Sequence, residues 1–412
     1  MAIAAFSTVV EWYDFTLYLY LVTVLARVFF GTGGNSPLWA LGGFGLAYGM
    51  RPLGAAVFGH IGDRYGRRRM MLLSMALMTA ALLATALLPT RAAIGPAAGW
   101  LLLLLRCLTA FSVGGEYTGV VAYLLEGAPR RRRGLIASAA AAASEIGALL
   151  AAGVCAATAA AMSPADLDSW GWRIPFLVGA ALAGAVFSAR STMQESPDFA
   201  RRQARGGAPS SPLRLAWRRH RPAIAQGFAI SALGSITYYV GVTFVPAFLS
   251  DARGLPESEA FRISAIAAGA VVLATPLVGA LSDALGRKPV LLVLCGTALV
   301  LPGPMFALMA GGGAPQALAG ALALAALGGG VSAVGAVASA ELLPGEGRLS
   351  GLALGSTLAT TIFGGLSPFV AQVLVLRTGA PSSPGVMIAA VALCILPALA
   401  TARETRPPPE RP

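Results

Sequence analysis

The chain has 412 residues, 56% of them hydrophobic and 12% charged, with a formal net charge of +12. A soluble domain averages about 25% charged residues, so most of this chain is not built to face water. The basic excess does not mark a nucleic-acid partner, because the arginines sit in short loops between apolar runs.

A spanning helix needs about 20 mostly apolar residues. The apolar runs predict spans at 4–30, 38–60, 70–89, 98–125, 135–161 and 173–192, then at 222–250, 261–282, 289–310, 315–343, 350–376 and 384–402. The expected fold is an all-α membrane protein with 12 transmembrane helices in two six-helix bundles. The N-terminal bundle is 1–192, a cytoplasmic linker rich in Arg, Pro, Gly and Ser is 193–221, and the C-terminal bundle with a short cytoplasmic tail is 222–412. The first apolar run carries acidic residues and follows no basic segment, so no cleavable signal is expected.

The basic residues set the orientation. The loops after even-numbered spans, together with the C-terminal tail, hold 22 of the 30 Lys and Arg residues, while the opposite loops hold five. That places both termini in the cytoplasm; the expected location is a bacterial inner (cytoplasmic) membrane. Cys107, Cys155, Cys295 and Cys394 lie in apolar runs without a C-x-x-C pair, and His60 and His220 are too few for a zinc site. No metal and no cofactor are therefore expected, and no nucleophile–base pair points to an enzyme.

The halves repeat. Gly59, Asp63, Gly66 and Arg67 after span 2 recur with the same spacing as Gly279, Asp283, Gly286 and Arg287 after span 8. Glu126-x2-Pro129-x3-Arg133 recurs as Glu341-x2-Pro344-x3-Arg348, and Glu195-Ser196 as Glu404-Thr405. The offsets are 220, 215 and 209 residues, so the order is kept and the chain reads as a duplication. Two parallel repeats about an axis normal to the bilayer are a transporter architecture.

A charge at the bilayer centre costs about 2.5–3.5 kcal/mol on insertion scales, so each needs a reason. The first half buries Glu11, Asp14, Arg51, Arg106, Glu116 and Glu145, whereas the second offers mostly neutral groups, among them Tyr238, Tyr239, Thr360 and Thr361. At 1.5 Å per residue, Glu11, Asp14, Arg51 and Glu116 share a depth. Two readings are open: a structural cluster, or a network in which Asp14 or Glu116 takes up a coupled proton beside Arg51. Arg106, which shares a face with Tyr117, suits a substrate carboxylate; its structural alternative is an ion pair with Glu145. In the loop, Asp63 can cap the next helix, Gly66 permits a tight turn, and Arg67 and Arg68 can pair with Glu126, Glu195 or a helix C-terminus. Gly45-x3-Gly49 and Gly351-x3-Gly355 allow close helix approach.

The Gly-x3-Asp-Arg-x-Gly-Arg-Arg loop resembles the signature of the major facilitator superfamily. Glu11-Trp12-Tyr13-Asp14-Phe15, Arg51-Pro52-Leu53-Gly54, Gly114-Gly115-Glu116-Tyr117-Thr118-Gly119, Trp170-Gly171-Trp172-Arg173 and Glu195-Ser196-Pro197 are similar to its metabolite:proton symporter family. Departures are Ser7-Thr8, where that family usually has Gly-Asn, and Thr109-Ala110, where Gln-Gly is expected after the span-4 arginine. The resemblance implies the major facilitator fold and a secondary active transporter. Its expected action is proton-coupled uptake of a small organic acid, a di- or tricarboxylate, by rocker-switch alternating access. Span 11 into span 12 looks most like the citrate and tricarballylate branch. A proline/betaine symporter is the alternative, and a drug/proton antiporter a further one, disfavoured because span 5 lacks a Gly-Pro motif. The expected partners are a carboxylate, protons as coupling ion and the lipid bilayer, with no nucleic acid, around a monomer.

The resemblance also implies a cytoplasmic latch made by Asp63, Arg64, Gly66, Arg67 and Arg68. The other conserved-spacing charges of the loops, Glu126, Arg133, Glu195, Asp283, Arg287, Glu341 and Arg348, belong to the same gate. Arg64 becomes Ala284 in the second copy, which predicts a weaker latch there.

Overall fold

A backbone in hydrocarbon finds no water, so every N–H and C=O must be paired within the protein. The computed structural model describes residues 2–31, 40, 43, 45–114, 116–204, 212–253, 255, 257–343 and 347–406, and among these every regular element is helical. The principal helices are α1 (Ala2–Tyr20), α2 (Arg51–Tyr65), α3 (Arg67–Ala86), α4 (Ala97–Val113), α5 (Glu116–Gly127), α6 (Arg133–Ala160) and α7 (Arg173–Ser191). They continue as α8 (Arg221–Tyr238), α9 (Glu257–Leu285), α10 (Arg287–Val300), α11 (Ala314–Glu341), α12 (Arg348–Leu352) and α13 (Ser383–Thr401).

Among the described residues, eight helical segments are long and apolar enough to cross a membrane, and two more spans are bent pairs. Phe6–Tyr20 turns by 61° into Val22–Phe30, and Arg287–Val300 by 43° into Pro302–Gly311. Proline lacks an N–H and its ring crowds the preceding turn, so Pro302 and Pro304 account for the second bend. The first resumes through the π-helical turn Ala26–Phe30, which interrupts the regular ladder. Span 2, ending in α2, and span 4, built from α4 and α5, complete the twelve transmembrane helices. The start of span 2 and part of the linker lie outside the described residues.

The chain packs as two compact units, Met1–Tyr123 with Ala143–Leu213, and Leu124–Ala142 with Arg214–Pro412. The division therefore falls inside α5 and α6 as well as in the linker: the turn joining spans 4 and 5 packs with the second unit. In the first unit α7 lies along α3 and against α1, while α4 packs on α2 and α3. Tyr13, Leu17, Leu82, Trp172 and Phe176 fill its core, and the Tyr13 hydroxyl donates to the Pro175 carbonyl at 2.8 Å. In the second unit α11 is central, against α8 and α9, with α10 on α13. Leu233, Phe248, Phe306, Leu324 and Val331 form that core. Leu273, Leu277, Val293 and Val300 stay exposed, as lipid-facing side chains do.

Glycines fix the helix spacing of the first unit. A Cβ on Gly54 would stand 1.8 Å from the Phe111 carbonyl oxygen, one on Gly114 2.1 Å from that of Arg51, and one on Gly147 2.2 Å from that of Val9. Backbone lies against backbone at each point, so the neighbour cannot rotate away. In the second unit Gly355 meets the Ile224 carbonyl at 2.8 Å in the same way, whereas Gly45 faces open space. Gly54→Ala is expected to destabilise the solubilised protein by at least the ~1–3 kcal/mol of an overpacked core, read as a lowered Tm. Gly153→Ala, with no atom within 4 Å, should leave the Tm unchanged; equal effects would refute the close-packing account.

Candidate functional site

Three buried carboxylates and three arginines in the first unit make three separate pairs. Asp14 on α1 meets Arg106 on α4 in a two-pronged contact, Nη1 to Oδ2 at 3.0 Å and Nη2 to Oδ1 at 2.9 Å. Such fork-on-fork geometry is the strong form of the carboxylate–guanidinium bond. Asp14 is 4% exposed and Arg106 5%. The guanidinium also donates to Thr109 Oγ1 at 3.3 Å and lies 5.4 Å from the Tyr18 ring centre and 5.7 Å from that of Phe176. Arg106 is thus held by one carboxylate and two aromatic faces. The structural alternative, a pair with Glu145, is corrected: the partner is Asp14, while Glu145 is buried on α6.

Glu116 lies on α5, in the middle of span 4. Its partner is Arg190 on α7, whose Nη1 and Nη2 reach both carboxylate oxygens. Ser74 donates to Glu116 at 2.6 Å, Arg190 also donates to the Met71 carbonyl at 2.9 Å, and Ser7 joins the same guanidinium. Spans 1, 3, 4 and 6 are tied at this point. Arg190 is missed by sequence reasoning because it stands one residue from the end of α7 and counts as a loop charge; its neighbours place it 1% exposed. Glu11 and Arg51 form the third pair, at 3.6 Å. Of the expected network of Glu11, Asp14, Arg51 and Glu116, two carboxylates take their hydrogen bonds from arginines of spans 4 and 6, and Arg51, Asp14 and Glu116 all lie in electrostatic reach of Glu11. Tyr117 is half-buried beside Glu116, in electrostatic reach of Glu11.

The repeated loop shows what its residues do. Gly66 has φ 108° and Gly286 φ 104°, a region that only glycine enters freely. Asp63 does not cap α3; it binds the Arg67 side chain at 2.7 Å. The cap is Glu195, which accepts the Arg67 N–H at 2.8 Å and the Arg68 N–H at 3.2 Å, while Arg64 lies over the Tyr65 ring. The second copy follows the pattern: Arg287 binds Asp283 at 2.8 Å, and Glu404 accepts the N–H groups of Arg287 at 2.9 Å and Lys288 at 3.0 Å.

Within the second unit Asp283 also accepts the N–H groups of Gly134 and Leu135, each at 2.9 Å, and so caps α6. Gly134 lies on the backbone of Gly279. Glu126 binds Arg348 at 2.8 Å, and Arg287 binds Glu341 at 3.2 Å. Ala284 in place of Arg64 leaves these contacts intact. Arg133, the repeat counterpart of Arg348, stands at the start of α6. Pro344 lies outside the described residues.

The neutral groups of the second half also meet. Ser235 donates to Thr360 Oγ1 at 3.1 Å, the Tyr238 and Tyr239 ring centres are 5.6 Å apart, and the Tyr239 ring packs on Gly364. Thr360 and Thr361 donate to carbonyls one turn back, at 3.0 and 2.9 Å. π-Helical turns at Tyr239–Thr243, Ala353–Thr357 and Thr361–Gly365 surround them, a backbone departure frequent at functional sites.

Buried charge pairs in a doubled six-helix design are matched by a family model: the Major Facilitator Superfamily model fits residues 4–311. This chain belongs to the major facilitator superfamily. It is 33% identical to the ectoine/proline transporter of Corynebacterium glutamicum over 397 residues, covering 92% of this chain and 78% of that protein. It is 33% identical to the alpha-ketoglutarate permease of Escherichia coli over 374 residues, covering 89% and 85%. With the citrate-proton symporter of Klebsiella pneumoniae it shares 30% identity over 391 residues, covering 93% and 87%. In fold it matches the proton:xylose symporter XylE, with a TM-score of 0.80 at 18% identity, over 98% of this chain and 95% of that one. This facilitator is a multi-pass membrane protein of a transporter family.

Two outcomes follow for its ionic contacts. Arg190→Met leaves Glu116 as a lone buried charge and should cost about 3–5 kcal/mol, whereas Arg190→Met with Glu116→Gln should recover most of the loss; a Tm series on the four proteins checks this. Glu404 lies outside the spans. Burial raises its carboxyl, but the N–H groups of Arg406, Arg287 and Lys288 and the Arg287 charge outweigh this and hold it below the usual carboxylate value. Its cap is therefore complete above the ordinary glutamate pKa and is lost only as pH falls through the depressed one. Hydrogen exchange at Arg287 and Lys288, compared at equal pH with Glu404→Gln, should show slower wild-type exchange at neutral pH and convergence in acid.

Proposed function

We propose that this facilitator is a proton-coupled symporter that carries a small organic acid, a di- or tricarboxylate, into a bacterial cell by rocker-switch alternating access. The observation that carries this reading is the buried, two-pronged Asp14–Arg106 pair. A guanidinium fork binds a carboxylate of the protein or of a substrate with equal geometry. While Asp14 is ionised, it occupies the fork. A proton taken up by Asp14 removes that charge and releases Arg106 to a substrate carboxylate, so proton and anion enter together. Release reverses the exchange: substrate leaves, Arg106 returns to Asp14, and the proton departs. A ligand moves a two-state carrier only by binding one state better, and this competition supplies the difference.

Similarity to the alpha-ketoglutarate permease and the citrate-proton symporter supports an organic acid. Similarity to the ectoine/proline transporter supports a second reading, a zwitterionic osmolyte whose carboxylate would take the same fork. The remainder of the reading is a monomer in the inner membrane, both termini cytoplasmic, with protons as coupling ion and no catalytic chemistry. Asp283 on the N-terminus of α6 and Glu126 on Arg348 serve as cytoplasmic gate contacts, and Tyr238, Tyr239, Thr360 and Thr361 as the neutral wall of the substrate site.

Uptake into proteoliposomes under an imposed pH gradient, with citrate, 2-oxoglutarate, shikimate, proline and betaine, tests it. At least one compound should accumulate only with the gradient. Asp14→Asn should keep counterflow but lose accumulation, and Arg106→Lys should raise the KM about tenfold, equivalent to ~1.4 kcal/mol. Uptake of every compound that ignores the gradient would remove the coupling claim.

A further inference from the structure

Glu11 differs from the two carboxylates beside it. Arg106 bonds both oxygens of Asp14, and Arg190 both oxygens of Glu116. Glu11 is 2% exposed, yet its Oε2 makes no hydrogen bond. Its Oε1 stands 3.6 Å from Arg51 Nη1, beyond hydrogen-bond range. Arg51 leans the other way. Its guanidinium carbon lies 4.5 Å from the Tyr48 ring centre and 5.6 Å from that of Phe15, and Nη1 reaches Tyr48 Oη at 3.5 Å.

The backbones on both sides are held. Gly114 clamps the Arg51 carbonyl, and Gly147 clamps that of Val9, two residues before Glu11. The distance between Glu11 and Arg51 is therefore set by side-chain rotation. A buried carboxylate with an unbonded oxygen is costly, and neutralisation is the inexpensive remedy. A guanidinium on aromatic faces keeps its charge without the carboxylate. Ionisable groups inside a membrane point to function by default.

The other charges around Glu11 are each bonded elsewhere or are acids; Arg190, the second cation in electrostatic reach, has both Nη atoms on Glu116. Asp14 on the same helix is bonded to Arg106, Glu116 from span 4 is bonded to Arg190 from span 6, and Tyr117 adjoins Glu116. Span 5, which meets α1 at Gly147, brings another acid, Glu145, two residues earlier.

We propose that Glu11 is a second proton-carrying carboxyl, apart from the Asp14–Arg106 pair, and that Arg51 swings between the Tyr48 and Phe15 faces and Glu11 as that proton comes and goes. With Oε2 protonated, Arg51 rests on the rings. When the Oε2–H bond breaks, the proton passes to water and the carboxylate left behind draws Arg51 into contact. Reloading reverses both moves. The proposal deepens the symport reading and rests on it only for coupling; the protonation itself is tested without a substrate.

Infrared difference spectra of the full-length solubilised protein, recorded between pH steps, detect the C=O stretch of a protonated carboxyl. That band should be present at neutral pH in the wild type and in Asp14→Asn, and absent in Glu11→Gln, which keeps the side-chain volume. An unchanged band in Glu11→Gln overturns the proposal. Arg51→Leu guards against misfolding of that variant: without its cation the band should persist through alkaline steps that empty it in the wild type, and unaltered titration there also overturns the proposal. The coupling arm uses 2-oxoglutarate: proton-to-substrate stoichiometry should fall by one in Glu11→Gln with counterflow retained, and an unchanged ratio refutes the coupled role. Absence of wild-type 2-oxoglutarate transport counts against the organic-acid reading alone, because the infrared band still decides whether Glu11 holds the proton.

Discussion

Charge neutralisation without water governs the first unit. An ion removed from water loses several kcal/mol of solvation, and only close, well-directed partners restore it. Asp14 and Glu116 have such partners in Arg106 and Arg190, each bridging helices far apart in sequence. The pairs therefore position spans 1, 4 and 6 as firmly as the apolar core does. Glu11 and Arg51 stand farther apart, at 3.6 Å, the longest of the three contacts.

The frame is rigid because glycines let backbones touch. Gly54 and Gly114 bring spans 2 and 4 together, and Gly147 brings span 5 onto span 1. In a membrane, apolar side chains gain nothing from leaving lipid, so association rests on close packing and polar contacts. The charged pairs join spans 1 to 4, 4 to 6 and 1 to 2, and the glycine contacts join spans 2 to 4 and 1 to 5, so the two sets brace different crossings of one unit.

The duplicated loop builds one pattern twice. In both copies a glycine with positive φ starts the next helix, a distant glutamate caps it, and an arginine binds the aspartate four residues earlier. In the second copy the aspartate also accepts the N–H groups at the N-terminus of α6. Glu126 likewise reaches Arg348, whereas its repeat counterpart Glu341 binds Arg287.

The sequence by itself determined the fold class, because long apolar runs in a bilayer can only be helices, and three motifs repeated in order at similar offsets read as a duplication. It also marked which charges needed an explanation, since Glu11, Asp14, Arg51, Arg106 and Glu116 are out of place in such runs. What it could not decide was partnership. Depth along a helix is linear in residue number, but the direction a side chain faces across to another helix depends on tilt, bend and rotation. Tertiary structure alone joined Asp14 to Arg106 across 92 positions, brought Arg190 in from a span end to Glu116 across 74, and gave the cap of α3 to Glu195 in place of Asp63. These bonds form between helices whose relative rotation is set by glycine contacts and the core, and no spacing within a single helix encodes that.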